Sequence, residues 1–336
     1  VDGTEYEADH IVLATGARPR EMAFMPIDGE RVISSRQALT LAKLPETMIV
    51  VGSGAIGSEF AWFYAALGVK VTVVEYMPRM MPLEDEEVSK TMERAFRKLR
   101  AAVLTSTTVK SVRVNAEGRC EVEIEGKKGA ETLTADIVLS AVGIKSNIEN
   151  IGLEELGVAV ERDKVVVDQF YRTNVPGVYA IGDIVGGPAL AHVASAEGIC
   201  CVEAICGLNP APVDYSTIPS CVFTSPEVAS VGMTEQQAQE RGIAYKTGRF
   251  PFTASGKATA AGDRDGFVKL LFGEDDTLLG AHMVGMNVTE MIAEPTLARM
   301  LGATGHRIAR TIHAHPTLNE GVMEADAAAT GAAIHQ

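Results

Sequence analysis

Two apolar runs frame the clearest pattern in the chain. Met48 to Val51 and Val69 to Val74 each read as a buried strand, and the residues between them are helical in pattern as far as Leu67, with Gly68 as the stop. A strand, a helix and a second strand at that spacing make one βαβ unit. Beyond it the pattern predicts an amphipathic helix over Asp85 to Leu99. Three β-patterned runs follow, Thr108 to Val114, Arg119 to Ile124 and Thr132 to Val142, with turn residues at Asn115, Glu117, Gly118 and Gly126 to Gly129. A later strand, Val178 to Ile181, ends in Gly182-Asp183, and a helix is expected after Gly186-Gly187-Pro188. From about Asp214 the pattern turns antiparallel: GFVKLLFGEDDTLLGAHMVG alternates on either side of Gly-Glu-Asp-Asp and reads as a hairpin.

The turn between the first strand and its helix carries Gly52-x-Gly54-x-x-Gly57. Glycines there permit a tight turn, let backbone N–H groups approach a pyrophosphate and allow the helix to pack closely, while the helix N-terminus adds partial positive charge. Glu75 closes the second strand, where a carboxylate accepts hydrogen bonds from ribose hydroxyls. It also repels a 2′-phosphate, and no arginine pair follows in EYMPRM, so NAD is expected rather than NADP. Glu59, two residues beyond Gly57, reads by spacing as a surface acid favoured by the helix dipole. Two strand ends, HIVLATGARP near the start and DIVLSAVGIK at Asp136 to Lys145, look alike, which suggests two dinucleotide domains exchanging chain at a crossover.

A length of 336 residues predicts two or three domains, and 46% hydrophobic with 22% charged residues is ordinary for a globular protein. The formal net charge of -14 argues against nucleic acid or an anionic membrane surface as partner. No apolar run reaches the roughly 18 residues needed to cross a bilayer. The start, VDGTEYEADH, has no basic or apolar leader and no initiator Met, and the first strand arrives at once, so the sequence reads as a fragment beginning inside a domain. Five cysteines without framework spacing suit a reducing compartment. Cys201 and Cys206 show a C-x4-C spacing, but on a helix such positions point about 140° apart, which favours packed free thiols over a disulfide.

Two stretches carry candidate chemistry. In HAHPTLNE, His315 has the residue type of a general base and Glu320 that of the group that orients it; Thr317-x-x-Glu320 is also a capping-box pattern, in which Glu320 would only satisfy an N–H. Asp183, at a strand end beside a helix start, could hold a hydroxyl chain or simply favour a turn. Free N–H groups near Leu190 to His192 could stabilise negative charge on a ligand ring. No metal-ligand cluster is apparent.

Together these motifs resemble the flavin-dependent pyridine nucleotide-disulfide oxidoreductases, and within them most closely the branch acting on dihydrolipoamide. The resemblance rests on ATG at Ala14 to Gly16, GxGxxGxE at Gly52 to Glu59, AVG at Ala141 to Gly143, YAIGD at Tyr179 to Asp183, LAH at Leu190 to His192, FTSPEVASVG at Phe223 to Gly232, and HAHPTLNE. It implies α/β architecture, with Rossmann-like FAD- and NAD-binding domains and a C-terminal α+β dimerisation domain built on an antiparallel sheet. The implied boundaries are 1–45 and 144–213 for FAD-binding parts, 46–143 for NAD, and 214–336 for dimerisation.

The same resemblance implies site residues. Thr15 and Gly16 would lie beside the FAD adenosine, Asp183 would hold the ribityl chain, and Ala189, Leu190, Ala191 and His192 would face the isoalloxazine. Gly52, Gly54, Ile56 and Gly57 would form the NAD turn, with Glu59 facing the nicotinamide, Glu75 the ribose, and Val109 and Gly143 lining the cleft. His315 and Glu320 would be the catalytic pair, and His313 a neighbour. The implied activity is reoxidation of dihydrolipoamide on lipoyl domains of 2-oxo acid dehydrogenase or glycine cleavage complexes, through a redox disulfide and FAD to NAD, in a homodimer of bacterial cytoplasm or mitochondrial matrix. The family's leading FAD and disulfide segment is missing, so the alternative is a non-catalytic NAD-binding, dimerising fragment. Two departures stand out: Pro295 should kink or split a helix at Glu294, and Gly143 is followed by Ile-Lys-Ser-Asn, without the Arg and Pro of many relatives.

Overall fold

The apolar run at Met48 becomes the central strand of a parallel sheet in the computed structural model, which describes residues 3–335. The five strands lie in the order Val32–Ile33, Ile137–Ser140, Thr47–Val51, Lys70–Val74 and Ala102–Leu104. Central strands of such a sheet are covered on both faces, which is why Met48 to Val51 is apolar without alternation. The helix Ala55–Ala66 follows the glycine turn, and Gly68, at φ +90°, ends it as expected. The amphipathic helix is Glu86–Lys98, capped by the Asp85 side chain, with acids in its first turn and bases in its last.

The expected third β run, Thr132 to Val142, proves to be two strands serving two sheets. Gly129–Ala135 completes an antiparallel three-stranded sheet with Thr108–Val114 and Cys120–Gly126, whereas Ile137–Ser140 joins the parallel sheet. Asp136 makes the break: its carboxylate accepts from the N–H groups of Glu46 and Thr47 and from the Thr47 hydroxyl, at 2.9 to 3.1 Å. Local apolar patterning did not register this, because only one residue separates the two strands and its partners lie some 90 positions away.

The chain divides into two compact units: residues up to Arg20 with Ile144–Tyr215, and Glu21–Gly143 with Ser216 onward. In the larger unit the expected hairpin forms, Phe267–Gly273 against Leu278–Gly285, inside an antiparallel sheet ordered Pro219–Val222, Glu227–Gly232, Leu278–Gly285, Phe267–Gly273, Tyr245–Pro251. A shared core joins the two five-stranded sheets of this unit, with Met92 and Phe96 packing in one cluster with Val228, Phe267 and Val284. The link is also ionic. Lys269, 1% exposed, reaches Asp85 at 3.0 Å, Glu235 at 2.5 Å and Glu87 at 3.3 Å.

The helix Glu320–Ala329 lies on the strand Tyr245–Pro251 almost backbone to backbone. A Cβ at Gly248 would stand 1.8 Å from the Ala325 carbonyl oxygen, so only glycine admits the helix there. The helical stretch before it splits at Ile292, between Val288–Met291 and Ala293–Met300. That is two residues earlier than the expected break at Glu294. Pro295 sits in the first turn of the second helix, where an N–H would have no intrahelical partner anyway.

In the smaller unit Ile11–Leu13 pairs in parallel with Val178–Ala180, and Ala17–Pro19 pairs antiparallel with Ile144–Ser146. Leu153, Val158, Val165, Val178, Ala180 and Ile184 form its core. The helix Ala191–Ile205 buries Cys201 and leaves Cys206 exposed at its C-cap, both as free thiols.

Candidate active site and cofactor-binding residues

The glycine turn is built as a cradle. A Cβ on Gly57 would meet the Gly52 carbonyl oxygen at 2.0 Å, and one on Gly52, at φ +98°, would meet the Ala141 carbonyl oxygen at 2.4 Å. Around Gly54, by contrast, nothing lies within 4 Å of that position. Two glycines therefore seal the turn, and the middle one leaves space above the start of the helix. A cavity of about 450 Å³ opens there, bringing Gly52, Gly54, Glu75 and Val109 together with Ser53, Tyr76, Met22 and Phe24. A dinucleotide fits this donor set: bare backbone N–H groups at a helix start, a carboxylate, and apolar walls.

Sequence patterning missed Ser53. It is fully buried, and its N–H and hydroxyl both donate to the same oxygen of Glu75 at 2.7 Å. The other Glu75 oxygen accepts from the Met77 N–H at 2.7 Å. Met22 and Phe24 come from a segment with no recognisable motif, so nothing local could have marked them. Ile56, Gly57, Glu59 and Gly143 do not line this cavity. Glu59 is half-buried rather than a free surface acid, and accepts from the Phe223 N–H at 2.9 Å. Burial pushes its carboxyl up from the usual range against the opposing pull of that bond.

The FAD-type motifs meet in the smaller unit through residues that depart from the family pattern. The Thr15 hydroxyl donates to the Asn147 carbonyl at 2.6 Å, the Asn147 side chain donates to the Thr15 carbonyl at 3.0 Å, and the Asn147 N–H donates to the Gly16 carbonyl at 2.9 Å. Next to it the Ser146 hydroxyl donates to the Asp183 carbonyl at 3.0 Å, and Lys164 donates to the same oxygen. Ser146-Asn147 thus tethers Thr15-Gly16 to Asp183. Gly182, at φ +73°, donates its N–H to the buried Glu197 at 2.6 Å.

Ala189 to His192 stand at the start of the helix Ala191–Ile205, with Ala189, Ala191 and His192 exposed. One expectation needs correcting: the Leu190 N–H is not free, because it donates to the Pro188 carbonyl at 3.0 Å. The half-buried Asp183 and the start of this 15-residue helix suit the sugar-like chain of a flavin and a ring that gains negative charge on reduction.

Glu320 bonds both the Thr317 N–H and the His315 ring, although no capping box closes: the helix starts at Glu320 with Asn319 as its N-cap, and the Thr317 hydroxyl donates to the Ala314 carbonyl. The Glu320 Oε2 accepts from the Thr317 N–H at 2.8 Å, as a capping acid would, and its Oε1 faces His315 Nδ1 at 2.8 Å. Burial raises the Glu320 pKa, but the Thr317 N–H and the His315 ring outweigh it and leave the carboxyl below its ordinary value. An ionised carboxylate only accepts, so Nδ1 carries the proton and, in the neutral ring, Nε2 holds a lone pair. The His315 side chain is 79% exposed, which leaves that lone pair open. His313 is nearly buried and bonds Glu294 at 2.7 Å; the other Glu294 oxygen accepts from Asn319, the residue just before Glu320, at 2.9 Å. A second His–Glu pair therefore anchors the loop that carries the first.

Residues 1–198 match the pyridine nucleotide-disulphide oxidoreductase family, and residues 218–326 match its dimerisation domain. Similar proteins include dihydrolipoyl dehydrogenase of Bacillus subtilis, 44% identical over 97% of this chain and 69% of its own length. That of Chlorobaculum tepidum is 46% identical over 95% of this chain and 68% of its own length. The human mitochondrial dihydrolipoyl dehydrogenase is 40% identical over 96% of this chain and 64% of its own length. Among solved structures, LpdA of Mycobacterium tuberculosis superposes with a TM-score of 0.89 at 31% identity, covering 96% of this chain and 70% of that one.

Proposed function

Because the chain belongs to the pyridine nucleotide-disulphide oxidoreductase family, we propose that it works as a dihydrolipoyl dehydrogenase, reoxidising protein-bound dihydrolipoamide at the expense of NAD. Its cofactors are FAD and NAD. When bound, FAD supplies the two-electron relay between a redox disulfide and NAD. We read residues 46–143 as the NAD-binding domain, 1–45 and 144–213 as FAD-binding parts, and 214–336 as the dimerisation domain.

The observation that carries the chemistry is the 2.8 Å bond from His315 Nδ1 to Glu320. A thiol is a poor nucleophile until deprotonated. His315 Nε2 takes the proton from one substrate sulfur, and the resulting thiolate attacks the redox disulfide. Glu320 fixes the tautomer that makes this possible and stabilises the imidazolium that forms. Thr15, Gly16, Asp183 and Ala189 to His192 hold FAD. Gly52, Gly54, Ile56, Gly57, Glu75, Val109 and Gly143 hold NAD, and Glu59, tied to the Phe223 backbone, faces its nicotinamide.

The match to a dimerisation domain supports a homodimer; in it, the His–Glu pair of one subunit would serve the disulfide of the other. Lipoyl domains of 2-oxo acid dehydrogenase or glycine cleavage complexes are the partners we propose, in bacterial cytoplasm or mitochondrial matrix. Among the described residues no helix is long and apolar enough to cross a membrane. An absorbance spectrum of the purified protein, followed by addition of dihydrolipoamide and NAD, tests the reading. Bound flavin and NADH formation are expected; a colourless dimer that binds NAD without turnover would overturn it.

A further inference from the structure

The chain carries a formal net charge of -14, yet one cavity of the larger unit is walled by cations. It measures about 380 Å³ and lies between the helix Glu86–Lys98 and the strands Tyr245–Pro251 and Phe267–Gly273. Arg94 and Lys98, one turn apart on the same helix face, form one wall. Arg249 and Arg264 form the other. Asp265 is the one carboxylate in the lining and Glu87 pairs with Arg249 from beside it, so two positive charges stand in excess.

Two of these cations are ion-paired and two are bonded to uncharged oxygens. Lys98 is paired with Asp265 at 2.6 Å. Arg94 donates to the neutral Thr91 hydroxyl at 2.9 Å, and Arg264 to the Thr253 carbonyl at 2.8 Å. Arg249 is held in place twice, by Glu87 at 3.0 Å and by stacking over the Phe267 ring at 4.7 Å. Gly266, in the lining, packs closely on the neighbouring strand: a Cβ there would meet the Val284 carbonyl oxygen at 1.9 Å. Arg94 and Arg264 are thus bonded to uncharged oxygens, and an anion in the cleft would give both a charged partner. Guanidinium forks match phosphate oxygens bidentately, and the volume lies in the range of small-ligand pockets.

We propose that this cleft is a binding site for a small anion carrying two or more phosphate groups, distinct from the nucleotide cavity at Gly54 and independent of the catalytic reading. Such an anion would bridge the helix that follows the nucleotide-binding strand to the C-terminal sheet, and so would stiffen the joint between them.

Titration calorimetry with inorganic pyrophosphate tests this on the FAD-loaded, full-length protein, at constant ionic strength and with saturating NAD to occupy the nucleotide cavity. Saturable binding of one pyrophosphate per chain is expected. In an Arg94→Ala/Arg264→Ala variant, affinity should fall roughly tenfold or more. A charge-matched control, Lys70→Ala/Lys257→Ala, should bind as the parent does. If the double arginine variant does not fold, Arg264→Ala alone is read in its place and should still weaken binding severalfold. Absence of saturable binding, or equal losses in the arginine and lysine variants, would overturn the proposal.

Discussion

Ser53 holds Glu75 with both its N–H and its hydroxyl, each 2.7 Å from the same carboxylate oxygen. Glu75 is 6% exposed, and the Met77 N–H takes its other oxygen. The acid proposed to read the ribose is therefore aimed before any ligand arrives, with one lone pair to spare for a hydroxyl donor. On the proposed reading, a residue in an unspecified position of the glycine motif would set the selectivity of the strand end.

Ser53→Ala should loosen that aim. Loss of one hydrogen bond to a charged acceptor predicts NAD affinity lower by roughly tenfold, with NADP binding changed less, so that the preference for NAD narrows. Paired fluorescence titrations with the two nucleotides check this. Unchanged selectivity would mean that the backbone N–H alone positions Glu75.

Lys269 offers a stability test. Burial pulls its ammonium pKa down, but the Glu235 and Asp85 carboxylates outweigh burial and leave it raised. Lys269→Met keeps the stem and removes the charge, stranding Asp85, which has no exposure at all. Breaking a buried pair from one side predicts a loss of roughly 3–5 kcal/mol in urea unfolding. A loss below about 1 kcal/mol would show that the network behaves as a surface pair.

Asp326 gives a pH dependence of opposite sign to the usual carboxylate. Burial, with the Asp276 carboxylate close by, pushes its carboxyl up to about 7. Both side chains converge on Gly305, where a Cβ would lie 2.5 Å from Asp326 and 3.0 Å from Asp276. The unfolded chain loses this proton near pH 4 and the folded protein near pH 7, so the stabilising contribution is complete below about pH 4 and is lost as pH rises to 7. Asp326→Asn should therefore be more stable than the parent at pH 8, by on the order of 2–4 kcal/mol, with the gap closing toward pH 4. Parallel melting curves across that window that stay a constant distance apart would contradict this.

How much of this could be read in the sequence depended on whether one segment carried the whole signal. The glycine turn, the helix after Asp85 and the hairpin around Glu274 are local, and each stood where period and turn residues put it. The division of Thr132 to Val142 between two sheets was hidden, because Asp136 makes its contacts with Glu46 and Thr47, some 90 positions away in the chain. Glu294 gave a signal only through its proline neighbour, and its role appears when His313 and Asn319 fold onto it. His335, unremarkable in sequence, bonds Glu324 at 2.6 Å one turn below Glu320. Such pairings between distant segments leave no periodic trace in either partner.

The most direct test of the catalytic account is the effect of His315→Gln on two activities of the holoenzyme measured side by side. Glutamine retains a hydrogen bond to Glu320 but cannot take a proton. Turnover of dihydrolipoamide to NADH should fall by about 10²- to 10⁴-fold, the usual worth of a general base, while NADH-driven reduction of an artificial electron acceptor should persist near the parent rate. Dihydrolipoamide turnover within a few fold of the parent, or equal loss of both activities, would contradict proton abstraction by His315.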